Sequence, residues 1–271
     1  MNISHYSVFA AAPGGGKHVA VVEGVDNPVD MGKIAAESGA PLTGFILESE
    51  DEYADARFFS PTKAKGSSDS GALVIAEHLR LRGAIKDYLF VLMGSDELQV
   101  SYQNGKWWRE PENAHKLVPQ FAVDSLLDAL RLNTRDVVGW GVAGNSKINS
   151  VIEVSSDHLH RIKPKFEALA ASQNEHNLNG VLVFSGESPA HMRFFSPAKG
   201  LEEDNAGSFT AVSLCGYLAQ RFTGAVDLEV LQGESMGKPS KLYAEFMVED
   251  EVAANVHIGG QVEMLEVNQW A

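Results

Sequence analysis

Arg57-Phe58-Phe59-Ser60-Pro61 recurs as Arg193-Phe194-Phe195-Ser196-Pro197. Five matching residues at an offset of 136 (57 to 193) mark an internal repeat, and a repeat settles how a chain divides before local structure is read. Each copy follows a predicted strand, Gly44 to Glu48 in the first half and Gly180 to Phe184 in the second. Each is followed by a polar, Gly-containing loop and then by apolar residues at helical spacing. These are Leu73, Ala76 and Leu79 within Ser70 to Arg82, and Ala211, Leu214 and Leu218 within Ser208 to Arg221. The helices align at an offset of 139 (79 to 218), so the second loop is three residues longer than the first.

Outside this nucleus, Asn27 and Pro28 form an N-cap and first-turn pair for a helix through Met31, Ile34 and Ala35, with Ile162 to Ala171 as its counterpart. Alternating segments at His18 to Glu23, Tyr88 to Met93, Leu98 to Tyr102, Asp227 to Leu231 and Leu242 to Val248 read as strands. Many strands with one long helix per half predict an α+β chain of two similar lobes from an internal duplication. Each lobe is a mostly antiparallel sheet or barrel around a central helix, with a ligand cleft between the lobes. The polar stretch between Trp108 and Asp124 is the expected boundary. It gives an N-terminal lobe of 1–117, with 259–271 as a candidate completion, and a C-terminal lobe of 118–258.

Composition narrows the function. The chain carries 22 Lys and Arg against 36 Asp and Glu, a formal charge of −14, which repels nucleic acid but leaves room for a local basic pocket that takes a small anionic metabolite. No stretch reaches the run of about 18 apolar residues that spans a bilayer, and the start lacks a basic leader, so no membrane partner and a cytoplasmic location are expected. A single cysteine, Cys215, excludes an internal disulfide and a cysteine-rich metal site.

Pro13-Gly14-Gly15-Gly16-Lys17-His18 fails as a phosphate loop, because Ala11 stands where the first glycine belongs and His18 follows the lysine. Asp157-His158-Leu159-His160 has ligand-type residues without a third cluster at metal spacing, so no metal is expected. Cys215 falls inside the second helix and reads as a small core residue. Trp107-Trp108 suits either a pocket wall or strand packing.

Phe9-Ala10, Val19-Ala20-Val21-Val22, the two Phe-Ser-Pro strand ends, Gly200, Glu203-Asp204-Asn205-Ala206-Gly207, Leu214 and Tyr217-Leu218 together resemble the PhzF-like isomerases of phenazine biosynthesis, which share the diaminopimelate epimerase-like fold. The resemblance implies a homodimer that uses no cofactor and moves a proton from carbon with a carboxylate acid/base. It also exposes departures. The family's Ser-Glu-Thr segment reads Pro41-Leu42-Thr43, so the catalytic glutamate is Leu42. Its Gly-His-Pro-Thr reads Asp69-Ser70-Gly71-Ala72, so the histidine is Ser70. Its Glu-Asp-Pro-Ala-Thr-Gly-Ser-Ala reads Glu203-Asp204-Asn205-Ala206-Gly207-Ser208-Phe209-Thr210, in which Asp204 is kept.

The expected catalytic pair is therefore Asp204 and Asp69, with Ser70, Gly71, Gly207, Ser208, Leu42 and Thr43 as substrate-binding positions. Either aspartate has a structural alternative as a helix cap. Two functions stay open: an isomerase with a changed site, and a non-catalytic homologue that binds a small ligand or a protein. A purely structural subunit is the third.

Overall fold

The computed structural model describes residues 1–110 and 112–269. The first stretch contains β1 (Asn2–Val8), β2 (Lys17–Glu23), α1 (Pro28–Glu37), β3 (Leu42–Glu50), β4 (Tyr53–Ser60), β5 (Lys63–Lys65), α2 (Asp69–Leu81), β6 (Tyr88–Met93), β7 (Asp96–Gln103) and β8 (Lys106–Arg109). It continues with β9 (Glu112–Leu117), α3 (Asp124–Leu130), β10 (Val137–Gly144), β11 (Ile148–Val154), α4 (Ser156–Leu159) and α5 (Phe166–Glu175). The remainder is β12 (Gly180–Ser185), β13 (Ala190–Ser196), β14 (Leu201–Asp204), α6 (Ser208–Leu218), β15 (Gly224–Gln232), β16 (Ser240–Glu249), β17 (Val252–Gly260) and β18 (Val262–Gln269). By internal packing the chain forms two units, Met1–Glu110 with Gly259–Ala271, and Pro111–Ile258.

In the first unit β1 lies antiparallel between β18 and β2, and β2 runs parallel to β3 with α1 as the crossover. From there β3 pairs with β4 antiparallel, β4 with β6 parallel, and β6, β7 and β8 antiparallel in turn. The last strand, β8, pairs with Gly259 and Gly260, two residues from the start of β18. The ladder thus returns to its beginning and closes into a barrel, leaving few free edges. Phe9, with a left-handed φ of 66°, donates its N–H to the carbonyl of Gln261 at 2.8 Å and fastens this closure. Inside runs α2, whose residues Ser70 to Leu79 are all buried, Glu77 and His78 among them. On the outer face α1 sets Met31, Ile34 and Ala35 against Ile3, Ala20, Val22, Phe45 and Phe59.

The second unit repeats this order of pairings. Successive neighbours are β9, β10 and β11 antiparallel, β11 and β12 parallel, β12 and β13 antiparallel, β13 and β15 parallel, and β15 and β16 antiparallel. The start of β17 pairs with β9. Its central helix, α6, is buried throughout except at Phe209 and packs on β9, β10, β11 and β16. Outside, Leu126, Leu127 and Leu130 of α3 and Leu169 of α5 cover Ile152, Val154, Val181 and Val183.

The repeated pentapeptide has a packing reason. A Cβ on Gly44 would meet the Phe58 ring at 2.9 Å, and one on Gly71 would meet the same ring at 2.3 Å. The ring therefore lies between strand and central helix, where only bare backbone fits. Phe194 covers Gly180 the same way, at 2.1 Å.

Three expectations shift. The counterpart helix starts at Phe166 rather than Ile162, because Pro164 disfavours helical backbone at Lys163. The segment Ser208 to Arg221 is α-helical only to Leu218 and ends in a 3-10 turn, Ala219–Arg221. Strand β9, within the stretch read as N-terminal lobe, hydrogen-bonds to β10 and β17 of the second unit. Among the described residues no helix is long and apolar enough to cross a membrane.

Candidate functional site

In the first unit the expected residues gather at the start of α2. Ser68, not Asp69, is the N-cap: its Oγ accepts the N–H of Gly71 at 3.1 Å and lies 3.3 Å from the Ser70 hydroxyl. The capping alternative for Asp69 is thereby corrected, since a free Ser side chain one residue earlier already meets the orphan donor. Asp69 instead faces Arg109 of β8, with Oδ2 3.4 Å from the guanidinium, and Arg109 is only 8% exposed. Sequence reasoning missed Arg109, because an arginine forty residues away gives no local signal.

The β3 residues divide. Thr43 is fully buried and its Oγ1 lies 3.0 Å from the Ser38 hydroxyl at the end of α1, so it points to the outer face of the sheet. That removes it from the α2 side, where a binding role was expected, because successive strand residues face opposite ways. Leu42 shares the face of Gly44, which abuts Ile75 of α2.

In the second unit Asp204 ends β14 and Gly207 is the N-cap of α6. A glycine cap offers no side-chain acceptor, and buried Gln232 supplies one. Its Oε1 accepts the Gly207 N–H at 2.9 Å, and its Nε2 donates to the Asp204 carbonyl at 2.6 Å. Asp204 Oδ1 accepts the Ala206 N–H at 3.3 Å, which closes a short turn, and Oδ2 would lie 3.3 Å from a Cβ on Gly207. Asp204 thus closes its own loop just ahead of α6. Ser208 follows, 8% exposed, as the first residue of the helix. Further back, Arg193 of the repeated motif forks onto Glu203 with two bonds of 2.8 Å, which fixes the strand that delivers Asp204.

The opposite ends of the central helices hold their own polar chains. The buried Tyr6 hydroxyl donates to His78 Nδ1 at 2.8 Å, and His78 Nε2 lies 2.6 Å from Glu23 Oε1, which also receives Arg82. Burial holds His78 below the usual histidine range against the pull of Glu23, and burial together with Glu77 pushes Tyr6 up to about 12. Burial would raise Glu23, but the hydrogen bonds from His78 and Arg82 prevail and lower it. In the second unit Arg221 and Glu153 pair beside Tyr217, which burial and Glu153 push up. Cys215 is buried, and burial pushes its thiol up, as a core residue requires. Trp107 is a strand residue whose Nε1 donates to Glu77 at 2.8 Å. His158 lies 3.2 Å from Asp136, and among the described residues no group of three ligand-type side chains could hold a metal.

The family model described as phenazine biosynthesis-like protein (PhzC–PhzF) matches residues 103–266. The uncharacterized isomerase YddE of Escherichia coli is 24% identical over 99% of this chain and 98% of its own length. The trans-2,3-dihydro-3-hydroxyanthranilate isomerase of Pseudomonas fluorescens is 27% identical, over 93% of this chain and 92% of its own. Among solved structures, the PhzF-family phenazine biosynthesis protein of Bacillus anthracis superposes with a TM-score of 0.84 at 20% identity, covering 99% of this chain and 98% of that one.

Proposed function

Because this chain belongs to the phenazine biosynthesis-like PhzC–PhzF family, we propose that it is an isomerase that moves a proton on a small anionic metabolite without a cofactor, with Asp204 as the group that carries the proton. The observation that supports this most is the handling of Asp204. The loop between β14 and α6 is tied by Gln232 at two points, which leaves the aspartate at a helix start with Ser208 beside it. Relatives along the whole chain are named isomerases, which supports the reaction class. Asp69 is the second carboxylate of the proposal. Its contact with Arg109 makes it a charged partner rather than an isolated acid. Ser70 and Ser208 then supply hydroxyl donors for the anion at the helix starts, while Gly71 and Gly207, whose N–H groups go to Ser68 and Gln232, keep the chain beside them free of side chain. The like order of strand pairings in the two units supports descent from a duplicated ancestor. The reading carries a cytoplasmic homodimer with it, as the resemblance implies.

One observation favours a non-catalytic binder instead. Leu42 and Ser70 carry neither carboxylate nor imidazole, so a proton relay has fewer members here. A thermal-shift screen against small carboxylic and amino acids, followed by deuterium uptake from solvent into each acid that binds, separates the two. Uptake in the wild type that is lost in Asp204→Asn, with binding retained, is expected. Binding without uptake in the wild type would move the assignment to the binder.

A further inference from the structure

Lys147 occupies the turn between β10 and β11 and sits on the one residue of α6 that is not buried. Its Nζ lies 4.4 Å from the centroid of the Phe209 ring. The turn is shaped to bring it there. Gly144 has a φ of +145°, and a Cβ at that position would fall 2.2 Å from the Lys147 carbonyl oxygen, so the chain folds back over bare backbone. Asn145 Oδ1 accepts the N–H of Ser146 at 2.5 Å. Beneath the turn, Asn149 Nδ2 donates to the hydroxyl of Ser213, one helical turn beyond Phe209, at 2.8 Å, and Asn179 Nδ2 donates to Asn149 Oδ1 at 3.0 Å. The turn is fastened to the helix, and the lysine's place over the ring follows from that fastening.

The charge pattern is local and opposite to that of the whole. In a chain of net charge −14, with acidic groups in excess, this lysine rests on an aromatic face, and among the described residues no carboxylate pairs with it. The first turn of α6 carries no acidic residue. A ring holds an exposed ammonium by about 0.5–1 kcal/mol and takes up none of its N–H donors.

We propose that Lys147, mounted on Phe209, anchors the carboxylate of the substrate at the α6 end of the second unit and so determines specificity for small carboxylates over their neutral analogues. This rests on the assignment of Asp204 as the proton carrier. Phe209 acts through Lys147 as a positioning residue.

The test is calorimetric titration of the full chain with two matched pairs, benzoate with benzamide and butanoate with butanamide, alongside deuterium uptake into butanoate and into each acid the thermal-shift screen finds to bind that carries a hydrogen alpha to its carboxylate. The wild type is expected to favour each acid over its amide by about tenfold, the ratio a single charge-assisted contact of ~1.4 kcal/mol supplies. Lys147→Met should abolish that preference, Lys147→Arg should keep most of it, and Phe209→Leu should weaken acid binding severalfold with amide binding unchanged. Equal acid binding by wild type and Lys147→Met would overturn the anchor. If uptake were still lost in Asp204→Asn, the isomerase assignment would survive that result. A wild type that neither binds the acids nor exchanges would remove both.

Discussion

The chain from Tyr6 through His78 to Glu23 shows what a buried residue contributes when its proton count is fixed by its neighbours. A neutral His78 accepts from the tyrosine at Nδ1 and donates to the glutamate at Nε2, so every polar atom in the chain is matched. Protonation would place a charge on a buried ring and make the tyrosine turn its hydrogen away and accept instead. Burial accordingly holds His78 low, and His5 too, with Glu266 opposing the shift at His5. A histidine whose folded pKa is depressed adds stability that is present above its unfolded value near 6.5 and is lost as pH falls through the folded one. Thermal melts from pH 7.5 to 5 should show the melting temperature falling with acidity. His78→Gln should flatten part of that slope, at a cost of roughly 1–3 kcal/mol at neutral pH from the broken buried contacts. A wild-type curve flat across this window would contradict the assignment. Little of this is legible in sequence, because Tyr6 and His78 lie 72 residues apart and no local pattern pairs them.

At the scale of elements, the two central helices begin by different means. Ser68 caps α2 from its own side chain, whereas α6 borrows Gln232 from β15. Ser68→Ala should cost about 1 kcal/mol, the usual worth of a cap. Gln232→Leu should cost more, roughly 2–4 kcal/mol, since it leaves one buried and one partly buried backbone group without Gln232 and frees the Asp204 loop. Urea unfolding midpoints rank the two variants, and the reverse order would show that Gln232 is not the stronger tie. The central helices, the outer helix α1 and the strands around the repeated pentapeptide were readable because apolar spacing and Asn27-Pro28 are local signals. Strands such as β11 and β17 were not, since each takes its place only from partners distant in sequence. The start of α2 misled for a related reason. Ser68 and Asp69 are both good caps, and spacing alone does not choose between them.

For the whole molecule, the decisive feature is that the first unit is made from two separated stretches, 1–110 and 259–271, while the second is continuous. Deleting residues 259–271 removes β18 from β1 and Gly259–Gly260 from β8, so the first barrel is left open with two bare edges. Limited proteolysis of that truncated chain should cut within residues 1–110 and spare a fragment spanning the second unit. Equal resistance in both would mean that the closing segment contributes little. The pentapeptide suggests two halves, and the strand pairings follow a like order in the two units, whereas the return of the tail leaves no periodic trace because it pairs the first and last strands.

The same closure bears on how the protein is made. Strand β1 is translated before the second unit, yet its partner β18 and the residues that seal β8 are translated after all of it. The nascent chain therefore completes its later half before its earlier one. During that interval the opening strands carry an unfinished edge, which is when the chain is most open to aggregation.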